Sequence, residues 1–122
     1  MVMANLWYLA TPYAKYENKD KAWSQGIANA AFLMKNGVRV FNPIGHGHPM
    51  SVYEPSLGAE DHDFWLAYDA EYLKFCKGLI VCKLPGWEES KGMDWEIEYM
   101  RKQLKPIVYM EPMELPNEFK AK

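Results

Sequence analysis

Apolar positions along the chain follow two rhythms: short continuous runs, and longer segments in which they return every three or four residues. Gly78-Leu79-Ile80-Val81-Cys82 is the clearest run, with the length and β-branched content of a buried strand. Asn5 to Ala10, Val38 to Phe41 and Pro106 to Met110 read as three further strands. Between them the helical rhythm predicts a helix from about Asn18 to Asn36, with Trp23, Ile27, Ala30, Ala31 and Met34 as its apolar stripe and Gly37 as a left-handed C-cap. Asp61 to Phe75 predicts a second helix, with Phe64, Trp65, Tyr68, Tyr72 and Phe75 on its apolar side. Met93 to Leu104 predicts a third, with Met93, Ile97, Met100 and Leu104 at helical spacing. Thr11-Pro12-Tyr13 reads as a turn, Asn42 to Pro49 as a long Gly/Pro-rich loop, and the tail from about Glu111 as polar and Pro-rich.

Strands alternating with helices point to an α/β fold: a single-domain, Rossmann-like three-layer α/β/α sandwich with a mostly parallel sheet, right-handed crossovers and ligands at the carboxyl edge of the strands. No internal repeat, low-complexity tract or linker interrupts residues 1–122. At 14.2 kDa the chain is long enough for one sheet with its helices but not for a separate substrate domain, so a deep site calls for a second subunit. The aromatic share of 15% suggests rings lining a pocket or an interface.

Charge narrows the partners. A formal net charge of -2 lacks the basic stripe that gripping polymeric nucleic acid requires, whereas a mononucleotide needs only a few donors. Cys76 and Cys82 form no CxxC pair and read as buried apolar thiols in a reducing cytoplasm. The apolar stretch from Met1 to Leu9 is short, lacks a basic lead and runs into Thr11-Pro12, so it reads as a strand and not a signal peptide; no other segment approaches membrane-spanning length.

The run from Leu84 to Glu96 carries the most chemical information, because it joins the strand at Val81 to a helix through an acidic, Gly-containing loop. Ser90 is placed to cap that helix, its neighbouring amides to receive an anion, and Glu96 to project from about one turn inside. Glu96 and Asp69 are the candidate carboxylate pair, one ionised as base or nucleophile and the other protonated as acid. Each has a plainer alternative, a solvated first-turn carboxylate for Glu96 and a surface helix acid for Asp69. His46 and His48, with Asp61, His62 and Asp63, raise the question of a metal, but an extended HxH sends its rings to opposite sides and no HExxH spacing appears. The expectation is no metal and no cofactor, with His46 as a pocket hydrogen-bond donor and Trp87 as the tryptophan facing a ligand. Walker loop, GxGxxG and nucleophile elbow are all missing.

Tyr8-Leu9-Ala10-Thr11-Pro12-Tyr13, the Asp69 helix leading into Cys76-Lys77-Gly78-Leu79-Ile80-Val81, and Ser90-x-Gly92-x-x-x-Glu96 resemble the nucleoside 2-deoxyribosyltransferase superfamily, including a small branch found in bacteria and their phages. The likeness runs from about Leu6 to Met110. It implies that Glu96 attacks the anomeric carbon of a deoxyribosyl group to form a covalent glycosyl-enzyme, that Asp69 assists the leaving base, and that Tyr8 holds Glu96. It further implies that Thr11 and Pro12 border the substrate, that Ser90 and Gly92 bind the phosphate or 5'-oxygen, and that a neighbouring subunit completes the site. Where the transferases carry aspartate this chain has Ser90, as do the related 2'-deoxynucleoside 5'-monophosphate N-glycosidases, and a hydroxyl beside helix amides favours a phosphate that a carboxylate would repel.

The expected function is therefore cleavage or exchange of the N-glycosidic bond of a 2'-deoxynucleotide or nucleoside by a homodimer or larger homo-oligomer in the cytoplasm. Two readings from other classes stand beside it: a nucleotide-binding or sensing module of the same fold without turnover, and an oligomeric scaffold whose aromatic surface serves assembly.

Overall fold

The computed structural model describes residues 5–13, 18–58 and 62–120. Four strands, β1 (Trp7–Ala10), β2 (Val40–Phe41), β3 (Gly78–Cys82) and β4 (Ile107–Met110), pair in the order β2-β1-β3-β4, every pair parallel. The register sets Tyr8 beside Leu79 and Leu79 beside Ile107, so alternate residues of each strand share a face. Four helices join them: α1 (Lys19–Lys35), α2 (Pro43–Tyr53), α3 (His62–Phe75) and α4 (Lys91–Lys102). This is an α/β, Rossmann-like fold in one small domain.

From β1 the chain steps outward to β2 on one side, and from β3 outward to β4 on the other. The switch point, where such sheets open a crevice, therefore lies between the carboxyl ends of β1 and β3. Trp7, Leu9, Ile80, Cys82, Val108 and Met110 face α1, packing with Ala30, Leu33, Val38 and Leu84. Tyr8, Ala10, Leu79 and Val81 face α3 and α4, packing with Leu73, Cys76, Met93, Ile97 and Met100. Both cysteines are buried and unpaired in disulfides, and burial pushes their thiols up to about 11 at Cys76 and about 12 at Cys82.

Five expectations need correction. The segment read as a loop, Asn42 to Pro49, is mostly helix: Asn42 caps α2 by accepting from the Gly45 amide at 2.7 Å, and Pro43 occupies the first turn, where its missing N–H costs nothing. On α1 the buried side is Ala22, Gly26, Asn29, Ala30 and Leu33, while Ile27 and Met34 of the expected stripe are exposed. The cause is close approach to α2, since a Cβ on Gly26 would lie 3.1 Å from Asn42 Oδ1. On α3 the deepest apolar residue is Leu73; Phe64, Tyr68 and Phe75 are exposed. The tail is docked: Leu115 and Phe119 pack on the α1-side core, the Trp7 and Phe119 rings meet edge-on at 5.0 Å, and Asn29 Oδ1 accepts from the Met113 amide at 2.7 Å. Leu104 also leaves its expected stripe, because α4 ends at Lys102 and Leu104 lies 92% exposed beyond it.

Candidate functional site

Glu96 belongs to the buried stripe of α4, together with Met93, Ile97 and Met100, and is only 7% exposed. The solvated first-turn reading is therefore wrong for this carboxylate. The Tyr8 hydroxyl, reaching from the middle of β1, donates to Glu96 Oε2 at 2.5 Å, and Tyr8 itself is fully buried. Burial pushes Glu96 up to about 8; the Tyr8 hydrogen bond opposes the shift and the charge of Asp69 adds to it. The phenol of Tyr8 is raised well above its ordinary range by burial first and then by Glu96 and Asp69, so it remains a hydrogen-bond donor at neutral pH.

Asp69, near the middle of α3, acts on both groups electrostatically. Burial alone raises its carboxyl to about 7, and its Oδ1 is buried without a hydrogen-bond partner. Such an atom in a native fold calls for an explanation, and a site that waits for a ligand is one. Asp69 also lines a pocket open to solvent, with Tyr13, Ile44, Gly47, His48, Ser51 and Trp65 among its walls. The Trp65 ring lies against Gly47 and is locked by its Nε1–H, which donates to the Leu57 carbonyl at 2.9 Å and the Gly58 carbonyl at 3.1 Å.

Ser90 caps α4 as expected, its hydroxyl accepting from the Met93 amide at 3.2 Å, and Gly92 lies in the first turn of the same helix. Thr11 and Pro12 are buried at the end of β1. Asn42 pins Leu9 and Thr11, its Nδ2 donating to Leu9 O at 2.9 Å and to Thr11 Oγ1 at 3.0 Å. Thr11 thus ties β1 to the start of α2. Trp87 turns inward, packing edge-on to Tyr109 of β4 at 5.9 Å and joining the α4-side core. His46 stacks on Tyr68 at 5.5 Å within an aromatic group that includes Phe41 and Tyr72, and Phe41 in turn touches Tyr8.

The histidine on the pocket wall is His48, which is 8% exposed. Its two nitrogens meet the Tyr13 hydroxyl and Asp20 Oδ1, each at 2.7 Å. Sequence reasoning weighed both histidines of the HxH and favoured His46; on α2 the two residues lie about 200° apart, with His48 on the pocket wall and His46 against Tyr68. Asn42 was missed too, although Asn followed by Pro is a helix-start signal. Among the described residues no three His, Cys, Asp or Glu side chains gather to hold a metal ion; Asp61, one of the candidate ligands, and the His62 side chain lie outside the described residues.

Chemically, the arrangement offers two carboxyl groups that titrate close together near neutrality, one oriented by a phenol and one open to a pocket. Among the described residues no helix is long and apolar enough to cross a membrane. No curated protein matches the chain. The family model described as Domain of unknown function (DUF1937) matches residues 5–112, a span that takes in all four strands, all four helices and the Tyr8, Asp69 and Glu96 cluster, and the chain belongs to that family.

Proposed function

We propose that this protein cleaves or exchanges the N-glycosidic bond of a 2'-deoxynucleotide or nucleoside. The observation that carries the reading is the buried hydrogen bond from Tyr8 to Glu96 with Asp69 in the same electrostatic field. Two carboxyl groups in one dry region do not both ionise readily, so at neutral pH one proton is shared by the pair. Of the two arrangements of that proton, the one the reaction uses has the anion on Glu96, where the Tyr8 hydroxyl donates to it, and the proton on Asp69.

A Glu96 oxygen attacks the anomeric carbon as the bond to the base nitrogen breaks. The bond electrons leave with the base, which takes the Asp69 proton. Asp69, now a carboxylate, accepts a proton from incoming water or an acceptor base, which displaces Glu96 and restores both groups. Ser90 and Gly92 at the start of α4 receive the 5'-oxygen or phosphate, where helix amides and dipole favour negative charge. The substrate is a small-molecule nucleotide or nucleoside, met in the cytoplasm. The exposed aromatic side chains of Phe64, Tyr68, Phe75 and Trp95 support a homo-oligomer, which sedimentation would test.

The test is to incubate the protein and its Glu96→Ala variant with deoxynucleosides and their 5'-monophosphates, with and without a free acceptor base, and to quantify released or exchanged base by chromatography. Release by the wild type alone supports the reading, and no release by either protein sinks it. One observation favours a second reading: a carboxyl raised to about 8 is mostly protonated at neutral pH and is then a weak nucleophile, which suits a nucleotide-binding or sensing module of the same fold without turnover. That module predicts saturable binding unaffected by Glu96→Ala and no base release.

A further inference from the structure

At the amino edge of the sheet, opposite the edge where the Asp69 pocket opens, lies an open cavity of about 340 Å³ that the proposed reaction does not use. Small-molecule sites occupy roughly 300–1,000 Å³, so the space is sufficient for a ligand. Its floor is the Trp7 ring, which lies against the start of β3 because Gly78 has no side chain: a Cβ there would sit 2.5 Å from Trp7 Cζ3. Val38 and Phe119 add apolar wall, the Phe119 ring meeting Trp7 edge-on at 5.0 Å.

Two cations flank this floor. Trp7 N donates to Arg39 O and Lys77 N donates to Leu6 O, so Arg39 and Lys77 stand at one level on either side of β1. With neighbouring strands about 4.8 Å apart, their backbones are separated by about 10 Å, a gap that two long side chains close around one acid group. Both residues line the cavity, and Lys77 Nζ lies over the Trp7 ring at 5.9 Å. Cations at this edge have another use, because α1, α3 and α4 all end here. Lys105 shows it, its Nζ donating to the Lys74 and Cys76 carbonyls at 2.9 Å each. Among the described residues the Arg39 and Lys77 side chains donate to no such carbonyl and form no ion pair. Glu118 is the one acid on the wall among the described residues, so positive charge is in excess.

We propose that this cavity is a second binding site, for a small organic anion whose flat apolar body lies against Trp7 and Phe119 and whose carboxylate or phosphate sits between Arg39 and Lys77. Guanidinium and ammonium groups each form charge-assisted hydrogen bonds with such an acid group, which a neutral ligand of the same shape forfeits. None of these residues takes part in the glycosidic reaction, so the site stands or falls apart from that reading.

The deciding experiment titrates isotope-labelled protein with 2-naphthoate, 2-naphthyl phosphate and the neutral 2-naphthamide, following backbone amide and indole N–H signals by NMR. It compares wild type, Arg39→Ala, Lys77→Ala and Glu118→Gln, with thermal melts to establish folding. The expected result is saturable shifts centred on Trp7, Val38 and Phe119, with at least one anion bound about 10-fold more tightly than the amide. Arg39→Ala and Lys77→Ala should each remove most of that advantage, and Glu118→Gln should enlarge it by about 2- to 5-fold as a repelling charge disappears. The amide should bind all four proteins alike, which a merely structural effect of the substitutions would not produce. A preference for the phosphate alone identifies phosphate esters as the ligands, and equal preference for both anions identifies the acid group in general. Anions and amide bound equally, an anion advantage that survives both alanine variants, shifts centred on the Asp69 pocket, or no saturable binding of either anion overturns the inference.

Discussion

The two faces of the sheet are built from alternate residues of the same strands, yet they are chemically opposite. Toward α1, β1 sends Trp7 and Leu9 and β3 sends Ile80 and Cys82, and the polar side chain that α1 buries, Asn29, is a neutral amide. Toward α3 and α4 the same strands send Tyr8, Ala10, Leu79 and Val81, and there the core includes the phenol of Tyr8 and the carboxyl group of Glu96, with Asp69 close enough to shift both. One face spends its burial on cohesion, and the other keeps ionisable groups in a region that resists their charge. The contrast places the fold's stability on one side and its chemistry on the other, and substitutions can separate the two.

Glu96→Gln should have the largest effect on function and the opposite effect on stability. The amide keeps the shape and can still receive the Tyr8 hydrogen bond, but it cannot attack an anomeric carbon, so turnover should fall by about 1000-fold or more. The melting temperature at alkaline pH should rise, because a buried group that would otherwise carry charge becomes neutral. A variant that loses stability along with turnover would break the comparison. Its counterpart across the sheet is Leu33→Ala, at a fully buried α1 position. That change should cost about 3 kcal/mol in chemical denaturation, from lost transfer energy and the cavity left behind, while kcat per folded molecule stays unchanged.

How much of this was legible beforehand also divides by face. The β1 and β3 runs, the capping Ser90 and the stripe of Met93, Ile97 and Met100 could be read because short apolar runs, helical spacing and a Ser at a helix start are local signals. Asp69 and Glu96 could be named as a pair, but their shared environment depends on how α3 and α4 pack over Tyr8, which no local pattern encodes. The α1 stripe was misread because large residues were taken as the inward ones, whereas close contact with α2 selects small ones. A Cβ on Gly26 would meet Thr11 Oγ1 at 3.2 Å, and Ile27 packs from the side so tightly that a Cβ on Gly45 would lie 2.8 Å from its Cδ1. Two glycines and Pro49 hid α2, and with it the packing that puts His48, and not the favoured His46, on the pocket wall.

A pH series sharpens the comparison with a smaller effect. Both carboxyl groups have folded values above their ordinary ones, Asp69 at about 7 against 3.8 and Glu96 at about 8 against 4.5. For a raised value the folded state binds protons more tightly than the unfolded chain. The associated stability is therefore complete below about pH 4 and is lost as pH climbs through 7 and 8. The melting temperature should fall by several degrees over that range in the wild type and fall less in Glu96→Gln and in Asp69→Asn. Leu33→Ala should lie lower at every pH with the wild-type slope. Under the proposed chemistry kcat/KM should follow a bell with limbs near 7 and 8 that belong to the pair jointly.

The smallest effect lies where the helices that cover the two faces end. α1 and α4 finish in the same hydrogen-bonding pattern. Val38 N donates to Leu33 O and Gly37 N to Met34 O, and likewise Lys105 N donates to Met100 O and Leu104 N to Arg101 O. The left-handed residue is Gly37 with φ 83° in the first and Leu104 with φ 57° in the second. A side chain in that conformation costs about 1 kcal/mol, and Leu104, 92% exposed, recovers almost nothing through packing. Leu104→Gly should therefore stabilise the protein by about 0.5–1 kcal/mol in denaturant titrations, part of the relieved strain being offset by the greater freedom of glycine in the unfolded chain. The gain should appear equally at every pH, since no titrating group is touched. If it varied with pH in step with Glu96, the end of α4 would be coupled to the chemistry at its middle, and the division between a face that holds the fold and a face that holds the reaction would have to be redrawn along the helix itself.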